Sequence, residues 1–466
     1  MQTGYVIVAH TGSLIAVDPE GMFHIIPGFL HQDGRPLLRC DAALRPCVAR
    51  DGALVPIDGL ACSDPQWTDG AARIGLRRGD RYGSVHPNGT EIEFDRDTQQ
   101  GWEYFLLLPE ADLPAIARFA ERAWLVPDAG QVVTPARATA LCAIHAGKSE
   151  YRIDENIQAL RALPPDATDV VLTRRTYCIG RFVAYRPLVY YACFGADAQF
   201  ALLRASLDAL LAVGRYDGDL CIITDRDDLR DWIPERFAGT LHILRKTPTR
   251  HEEFWRSRYE IADLEGIGAY GPILYVDTDV CAVADISIIL HRIALSGKIC
   301  VGTEEYPASI TNPPSLLTVA DSMGGTLFRM DGHDPGYRFG FNSGIIGFAS
   351  MRIARDPFRR VAGTMDRLLR AGTWIPFMDQ AVANYLFHKL GIVDTETLSG
   401  HVQAGTPTRL YSHVRPADTQ VLVHFWATPG KDRETILRAM TATRLAERAA
   451  REAGRIRQHV TLPPSP

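Results

Sequence analysis

The segment Pro272-Ile273-Leu274-Tyr275-Val276-Asp277-Thr278-Asp279-Val280 runs four apolar residues into two carboxylates. The apolar run reads as a buried strand. Residues i and i+2 of a strand point to one face, so Asp277 and Asp279 converge at its open end. Two carboxylates held that close repel unless a cation neutralises them. A hard divalent ion, shared with substrate phosphates, is the usual answer. Three other D-x-D triplets occur, Asp95-Arg96-Asp97, Asp217-Gly218-Asp219 and Asp225-Arg226-Asp227. Each has Arg or Gly at its centre and a turn-like setting, whereas only Asp277-Thr278-Asp279 follows an apolar run.

The elements that must position this pair form an α/β pattern from Pro187 onward. Strands are expected over Leu188–Phe194, Asp219–Ile223, Leu241–Leu244 and Ile273–Val276. Helices are expected over Asp197–Val213 and His251–Leu264, and again from Arg433 to about Arg457. Strands alternating with helices of this length predict a doubly wound, mostly parallel sheet with right-handed crossovers. Ligands bind such sheets outside the carboxyl ends of the strands, which is where the acidic pair falls.

Ile273-Leu274-Tyr275-Val276-Asp277-Thr278-Asp279 resembles the "LYLDxD" strand of GT-A-fold glycosyltransferases, particularly family 8. Three further segments follow in that family's order. Phe341-Asn342-Ser343-Gly344-Ile345-Ile346-Gly347-Phe348 resembles its "FNxGV" strand. Met378-Asp379-Gln380-Ala381-Val382-Ala383-Asn384 resembles its "DQxxxN" helix start. Val423-His424-Phe425 followed by Gly430-Lys431 resembles its "HF…K" closing segment. The resemblance covers roughly residues 188 to 440. It implies a GT-A fold and a metal-dependent, retaining transfer of a hexose from a UDP-sugar to a glycan, lipid-linked or protein acceptor.

By that resemblance Asp277, Asp279 and His424 hold the metal. An imidazole among carboxylates suits Mn²⁺ better than Mg²⁺. Lys431, next to Gly430, meets the diphosphate as a point charge. Asn342, with Ser343 and Gly344, lines the sugar pocket, and Asp379 and Gln380 lie near the anomeric carbon. An amide is a poor nucleophile, so a front-face mechanism is favoured over attack by Gln380. The first α/β unit is expected to bind the nucleotide. There Phe194-Gly195-Ala196-Asp197-Ala198-Gln199-Phe200 resembles the family's "DxNY" stretch, with Gln199 for Asn and Phe200 for Tyr. Gly195 and Asp197 face the base, and Thr224 and Asp225 line the same cleft. Arg258 resembles the donor-contacting basic residue, with Arg256 as its alternative. The family's "GxxKPW" ending is absent, since Pro429-Gly430-Lys431-Asp432-Arg433 stands in its place.

Each of these residues also has a plain structural use. His424 suits an apolar core, Asp379 suits a helix N-cap, Asn342-Ser343-Gly344 suits a turn, and Lys431 suits an exposed surface. Two other functions fit parts of the pattern. One is a non-catalytic sugar-binding protein with a degenerate transferase domain. The other is a haloacid-dehalogenase-type phosphatase, which also places D-x-D after a buried strand. That enzyme class expects Thr or Val two residues after the second Asp, where this chain has Cys281.

Residues 1 to about 110 alternate short apolar stretches with turn signals, which predicts antiparallel strands. Val6 to Ile26 turns at Thr11-Gly12 and Glu20-Gly21. Ala72 to Phe94 echoes it with turns at Arg78-Gly79 and Asn88-Gly89, closing on Trp102-Glu103-Tyr104-Phe105. This rhythm resembles β-trefoil modules, and an irregular β-domain fits the same spacing. Trp67, Trp102 and Trp124 are candidate sugar-stacking rings. Asp112 to Trp124 has helical spacing. The expected organisation is a β-rich accessory domain over 1–125, a connecting region over 126–187, the catalytic domain over 188–440, and a helix end with a Pro-rich tail over 441–466.

The 466 residues carry 50 Lys plus Arg against 55 Asp plus Glu, a net charge of −5 that argues against a nucleic-acid coat protein. No apolar run approaches the ~18–20 residues that span a bilayer. Met1-Gln2-Thr3-Gly4 lacks a basic region before an apolar one, so no secretion signal is expected. The nine cysteines form no C-x-x-C pair and sit mostly in apolar runs. That predicts free core thiols and a cytoplasmic setting.

Overall fold

The computed structural model describes residues 4–10, 13–26, 35–68, 71–85, 90–99, 103–135, 143–146, 149–153, 155–164, 166–174, 178–303, 316–404, 419–426 and 430–460. The chain divides into two compact units, Met1–Tyr185 and Arg186–Pro466. No helix among the described residues is long and apolar enough to cross a membrane.

The first unit is β-rich. Its largest sheet runs in the order Ala53–Pro56, Pro46–Arg50, Leu38–Cys40, Tyr5–Ala9, Phe105–Pro109, Ala71–Ile74, Gln66–Thr68, with Leu14–Val17 and Phe23–Ile26 branching from Tyr5–Ala9. The strand Tyr5–Ala9 is apolar on both faces. Val6 and Val8 enter one core, and Ile7 and Ala9 enter a second. This is the two-residue alternation of a strand buried on both sides. Glu20-Gly21 and Arg78-Gly79 form turns with their glycines at φ +86 and +62. Thr11-Gly12, Asn88-Gly89 and Trp102 lie outside the described residues.

Residues 126–185 belong to this unit rather than forming a connector. Trp124–Val126 pairs with Gln131–Val133 and with Cys178–Ala184, which pairs with Asp169–Arg174. Ile153, Ile157, Leu160, Val170 and Phe182 share one core with Val6, Val8, Leu106 and Leu108. Burying those side chains in the shared core draws the segment into the unit. The helix expected to reach Trp124 ends at Glu121, and Trp124 opens a strand. Trp124 is fully buried, its indole N–H donating to the Phe119 carbonyl at 2.8 Å. Trp67 is 49 % exposed beside Tyr5.

The second unit is mixed α/β. A seven-stranded sheet runs in the order Leu241–Arg245, Asp219–Thr224, Leu188–Ala192, Ile273–Val276, Phe341–Phe348, Ile299–Thr303, Val393–Asp394. The first four are mutually parallel. Phe341–Phe348 is antiparallel to both of its neighbours, so the sheet is not doubly wound throughout. Its N-terminal end therefore lies beside the carboxyl ends of the parallel strands. A smaller sheet joins Val280–Ala282 to Leu422–His424 and Val402–Ala404.

The expected helix over His251–Leu264 stops at Ser257 and continues as 3-10 turns over Ile261–Asp263 and Ile267–Ala269. Its interruption has a tertiary cause. The Arg258 carbonyl accepts the buried Tyr190 hydroxyl at 2.9 Å, while the Tyr259 and Glu260 amides bond three residues back. The C-terminal helix spans Gly430–Val460.

Helix Met378–Lys389 buries Asp379, Gln380, Asn384 and His388. Neither ring nitrogen of His388 has a hydrogen-bond partner among the described residues. Burial, with Arg338 nearby, lowers its pKa to about 4. The unfolded chain binds a proton near pH 6.5 that the folded chain refuses, so stability is full above that pH and is lost as pH falls toward 4. The expected loss between pH 7 and pH 5 is about 2 kcal/mol. His388→Leu removes this component. Urea unfolding at the two pH values checks it, and an unchanged acid-side loss in the variant would contradict the assignment.

Candidate metal centre

The register of the two central strands brings the candidate residues together. Val276 lies opposite Ile345, and the Asp277 amide donates to the Gly344 carbonyl at 2.8 Å. Val280 pairs with His424, and the Phe425 amide donates to the Asp279 carbonyl at 3.0 Å. One carboxylate oxygen from each of Asp277 and Asp279 and one ring nitrogen of His424 lie within 4.8 Å of one another. His424 Nε2 is 3.0 Å from Asp279 Oδ1 and 3.7 Å from Asp277 Oδ2.

The outer oxygens of both carboxylates are held from behind. Tyr275, two residues back on the same strand face, donates its hydroxyl to Asp277 Oδ1, and Arg258 Nη2 lies 3.5 Å from that oxygen. Arg433 Nη1 donates to Asp279 Oδ2 at 2.7 Å. Asp277 Oδ2, Asp279 Oδ1 and His424 Nε2 are left facing one another. Two hard oxygens and an imidazole nitrogen, oriented by partners behind them, fit a Mn²⁺-like cation. Burial favours the neutral acid at Asp279, but His424 and Arg433 outweigh it and hold the carboxyl below its usual range.

Gly344 makes this approach possible. A Cβ there would sit 2.3 Å from His424 Cε1 and 2.6 Å from Asp277 Oδ2. Neither neighbour is the free end of a flexible chain, so the glycine is a clearance rather than a turn.

The triad forms one side of a cavity of about 320 Å³. Asp379 and Gln380, on the first turn of their helix, line it as well, together with Asn342 and Ser343. Asp379 Oδ2 accepts the Ser343 hydroxyl at 2.8 Å and lies 3.2 Å from Arg258 Nη1. Burial pushes the Asp379 carboxyl up, and Arg258 and Ser343 only partly oppose it. Arg258 also donates to Ser343 Oγ at 2.7 Å and to the Ser343 carbonyl at 3.0 Å. Arg256 instead pairs with Glu260 and Asp366 and does not line this cavity. Both ends of the Gln380 amide are engaged. Oε1 accepts the Ser343 amide at 3.3 Å, and Nε2 donates to the Ser322 carbonyl at 3.2 Å. Asn342 Oδ1 accepts the Gly344 amide at 2.7 Å.

The expected nucleotide residues form a second cluster at the ends of the first two strands, none of them lining this cavity. The Gly195 amide donates to Asp225 Oδ2 at 3.2 Å. Arg226 donates to Asp197 Oδ1 at 2.6 Å and to the Gly195 carbonyl at 2.9 Å. Thr224 is buried, its hydroxyl oxygen accepting the Arg226 amide at 3.3 Å. Phe200 is fully buried beneath the Arg226 guanidinium, 3.8 Å from its ring centroid, so its ring packs and offers no stacking face. Gly430 is exposed at the start of the last helix, and the Lys431 side chain lies outside the described residues.

Sequence reasoning missed Arg433, Trp255, Trp426 and Phe377, all of which line the cavity. Tyr275 had a readable signal, since it shares a strand face with Asp277. Arg433 had none beyond its basic character near the closing segment. Phe377 is a bulky residue in the left-handed region, φ 49 and ψ 55. That conformation costs an L-residue about 1–2 kcal/mol.

No protein-family model matches this chain, and no curated protein matches it significantly.

Gly344→Ala is expected to weaken Mn²⁺ binding by about tenfold or more, the scale of disturbed metal-ligand support. Electron paramagnetic resonance titration of free Mn²⁺ reads this directly. Wild-type affinity in the variant would show that the close approach is not needed for the metal.

Proposed function

We propose that the second unit is a GT-A-type, metal-dependent, retaining glycosyltransferase that takes a hexose from a UDP-sugar. One observation carries the reading. The Asp277–Asp279–His424 triad and the Asp379–Gln380 helix start share one cavity, tied together by Arg258 and Ser343. The order of the seven-stranded sheet, with its reversed central strand, supports the same fold assignment.

Bound Mn²⁺, or Mg²⁺ in its place, would neutralise the diphosphate as the glycosidic bond breaks. The residues around it divide the remaining work. Asp277 Oδ2, Asp279 Oδ1 and His424 Nε2 hold the cation. Arg433, in the first turn of the last helix, supplies positive charge beside Asp279, and Lys431, two residues before it, is assigned to the diphosphate. Asn342 offers donor and acceptor to sugar hydroxyls. Asp379 carries negative charge at the position proposed for the anomeric carbon, where an oxocarbenium-like centre needs it. Gln380, bonded at both ends, positions Ser343 and is not the attacking group. The cluster of Gly195, Asp197, Thr224 and Asp225 is assigned to the nucleotide end.

The acceptor is a glycan, a lipid-linked sugar or a protein. We read the first unit as a trefoil-like accessory module. In its largest sheet seven strands lie side by side, Tyr5–Ala9 pairs with Phe105–Pro109, and the hairpin of Leu14–Val17 and Phe23–Ile26 branches off, a β-rich arrangement consistent with that reading. The half-exposed Trp67 is its candidate sugar ring. The described cysteines are free, which supports a reducing, cytoplasmic setting. A phosphatase reading needs Asp277 as an attacking carboxylate, and its tether to Tyr275 argues against that.

Nucleotide release from UDP-, GDP- and CMP-sugars tests the reading. Release from one UDP-sugar is expected with Mn²⁺, abolished by EDTA and lowered about 10²–10³-fold in Asp279→Ala. Metal-independent release, or wild-type release by the variant, would overturn it.

A further inference from the structure

We propose that Phe377 is the platform on which the ring of an acceptor sugar stacks, which makes the acceptor a carbohydrate. The inference rests on the transferase reading above and adds the substrate class on its other side.

Phe377 is placed at a cost and left uncovered. Its neighbours Ile375 and Met378 are buried, yet Phe377 itself is 55 % exposed. Its backbone lies in the left-handed region, which glycine enters freely and phenylalanine does not. Its carbonyl already accepts the Ala381 amide at 2.9 Å, the first bond of the helix, so its backbone is fixed. Packing does not explain a large side chain there, because more than half of the residue is exposed. The fold needs only the backbone conformation, which a residue without a side chain would supply more easily.

What the ring does touch is the cavity. Phe377 lines the same space as the triad and stands two residues before Asp379. Trp255 and Trp426 line it too, and the remaining lining is largely polar, including Asn342, Asp379 and Gln380. Aromatic walls over a floor of planar hydrogen-bonding groups match a pyranose. Its C–H face packs on a ring, and its hydroxyls pair with amides and carboxylates. An acyl chain would take this polar and charged lining out of water without bonding any of it, so a lipid tail fits it poorly. The cation and the diphosphate are assigned to the triad and the donor hexose to Asn342 and Asp379, which leaves the exposed Phe377, two residues before Asp379, to the attacking sugar.

Saturation-transfer NMR tests this, with diamagnetic Mg²⁺ and UDP filling the donor side. The probes are methyl α-glucoside, methyl β-galactoside, methyl α-mannoside and lactose. At least one is expected to receive saturation on the C–H protons of one face. Phe377→Gly should weaken that binding at least tenfold, and Phe377→Trp should retain it. Phe377→Gly should melt no lower than wild type, because it removes the left-handed strain and little burial. A lost signal then reports a lost contact and not a lost fold. Glycoside binding that survives Phe377→Gly overturns the proposal. So does an absence of glycoside contact in wild type that binds Mg²⁺ and UDP, and the transferase reading then stands. Failure to bind the cation or UDP overturns that reading and this proposal with it.

Discussion

The second unit depends on one buried cation. Arg258 lies against Asp277, Asp379 and Ser343, which come from a parallel strand end, a helix start and an antiparallel strand. Burial opposes the guanidinium charge, but Asp277 and Asp379, with the Tyr275 ring, raise its pKa well above the ordinary value. A buried ion pair is weak evidence of net stability, while removing one partner typically costs about 3–5 kcal/mol. The contribution of Arg258 is therefore geometric. It fixes three elements at one point, and a helix is broken at Ser257 to deliver it. The same charge limits how far burial can push the Asp379 carboxyl toward its neutral form.

A second constraint is directional. Parallel strands all present their carboxyl ends to one edge, so by themselves they bring only loop residues to a site. Reversing Phe341–Phe348 lets a strand, paired through Ile345–Phe348 with Ile273–Val276, deliver its first residues to that edge. A slip of one residue would turn Ser343 away from Arg258 and Asp379. It would also replace Gly344 beneath His424 with a side chain that cannot fit.

These constraints explain what could be read from the chain. The strand Ile273–Val276 and its two carboxylates are a local pattern, and local patterns survive folding. His424 was visible only through its distant neighbours in the motif order, because the strand pairing Val280 with His424 is long-range. Arg433 reaches Asp279 from a helix whose first turn looks like any basic surface turn. The segment 126–185 looked like a connector because its pattern is mixed and fits neither period cleanly, and its core partners Val6, Val8, Leu106 and Leu108 lie earlier in the unit. His251–Leu264 kept a helical period, but the Arg258 carbonyl satisfies a buried tyrosine instead of a helix. Phe200 stood in the expected nucleotide stretch in place of Tyr, and its burial under Arg226 depends on contacts that spacing does not encode.

Asn384 shows how such a site is kept stiff. The strand Ile299–Thr303 shifts register between Val301 and Thr303, just where it should support Phe341. Asn384 fills the gap from the neighbouring helix. Its Oδ1 accepts the Phe341 amide at 2.9 Å, and its Nδ2 donates to the Phe341 carbonyl at 2.8 Å, as a strand residue would. The same Nδ2 reaches the Gln380 carbonyl at 2.9 Å, one turn back. One side chain thus locks the first residue of the reversed strand to the helix that carries Asp379 and Gln380. Asn342 and Ser343 follow directly from that locked residue. A fully bonded buried amide is worth far more here than an apolar residue of the same size, because it specifies register as well as filling space. The polar inner face of this helix therefore ties the cavity's elements together, and His388, farther along the same face with no hydrogen-bond partner for its ring nitrogens among the described residues, marks where that network ends.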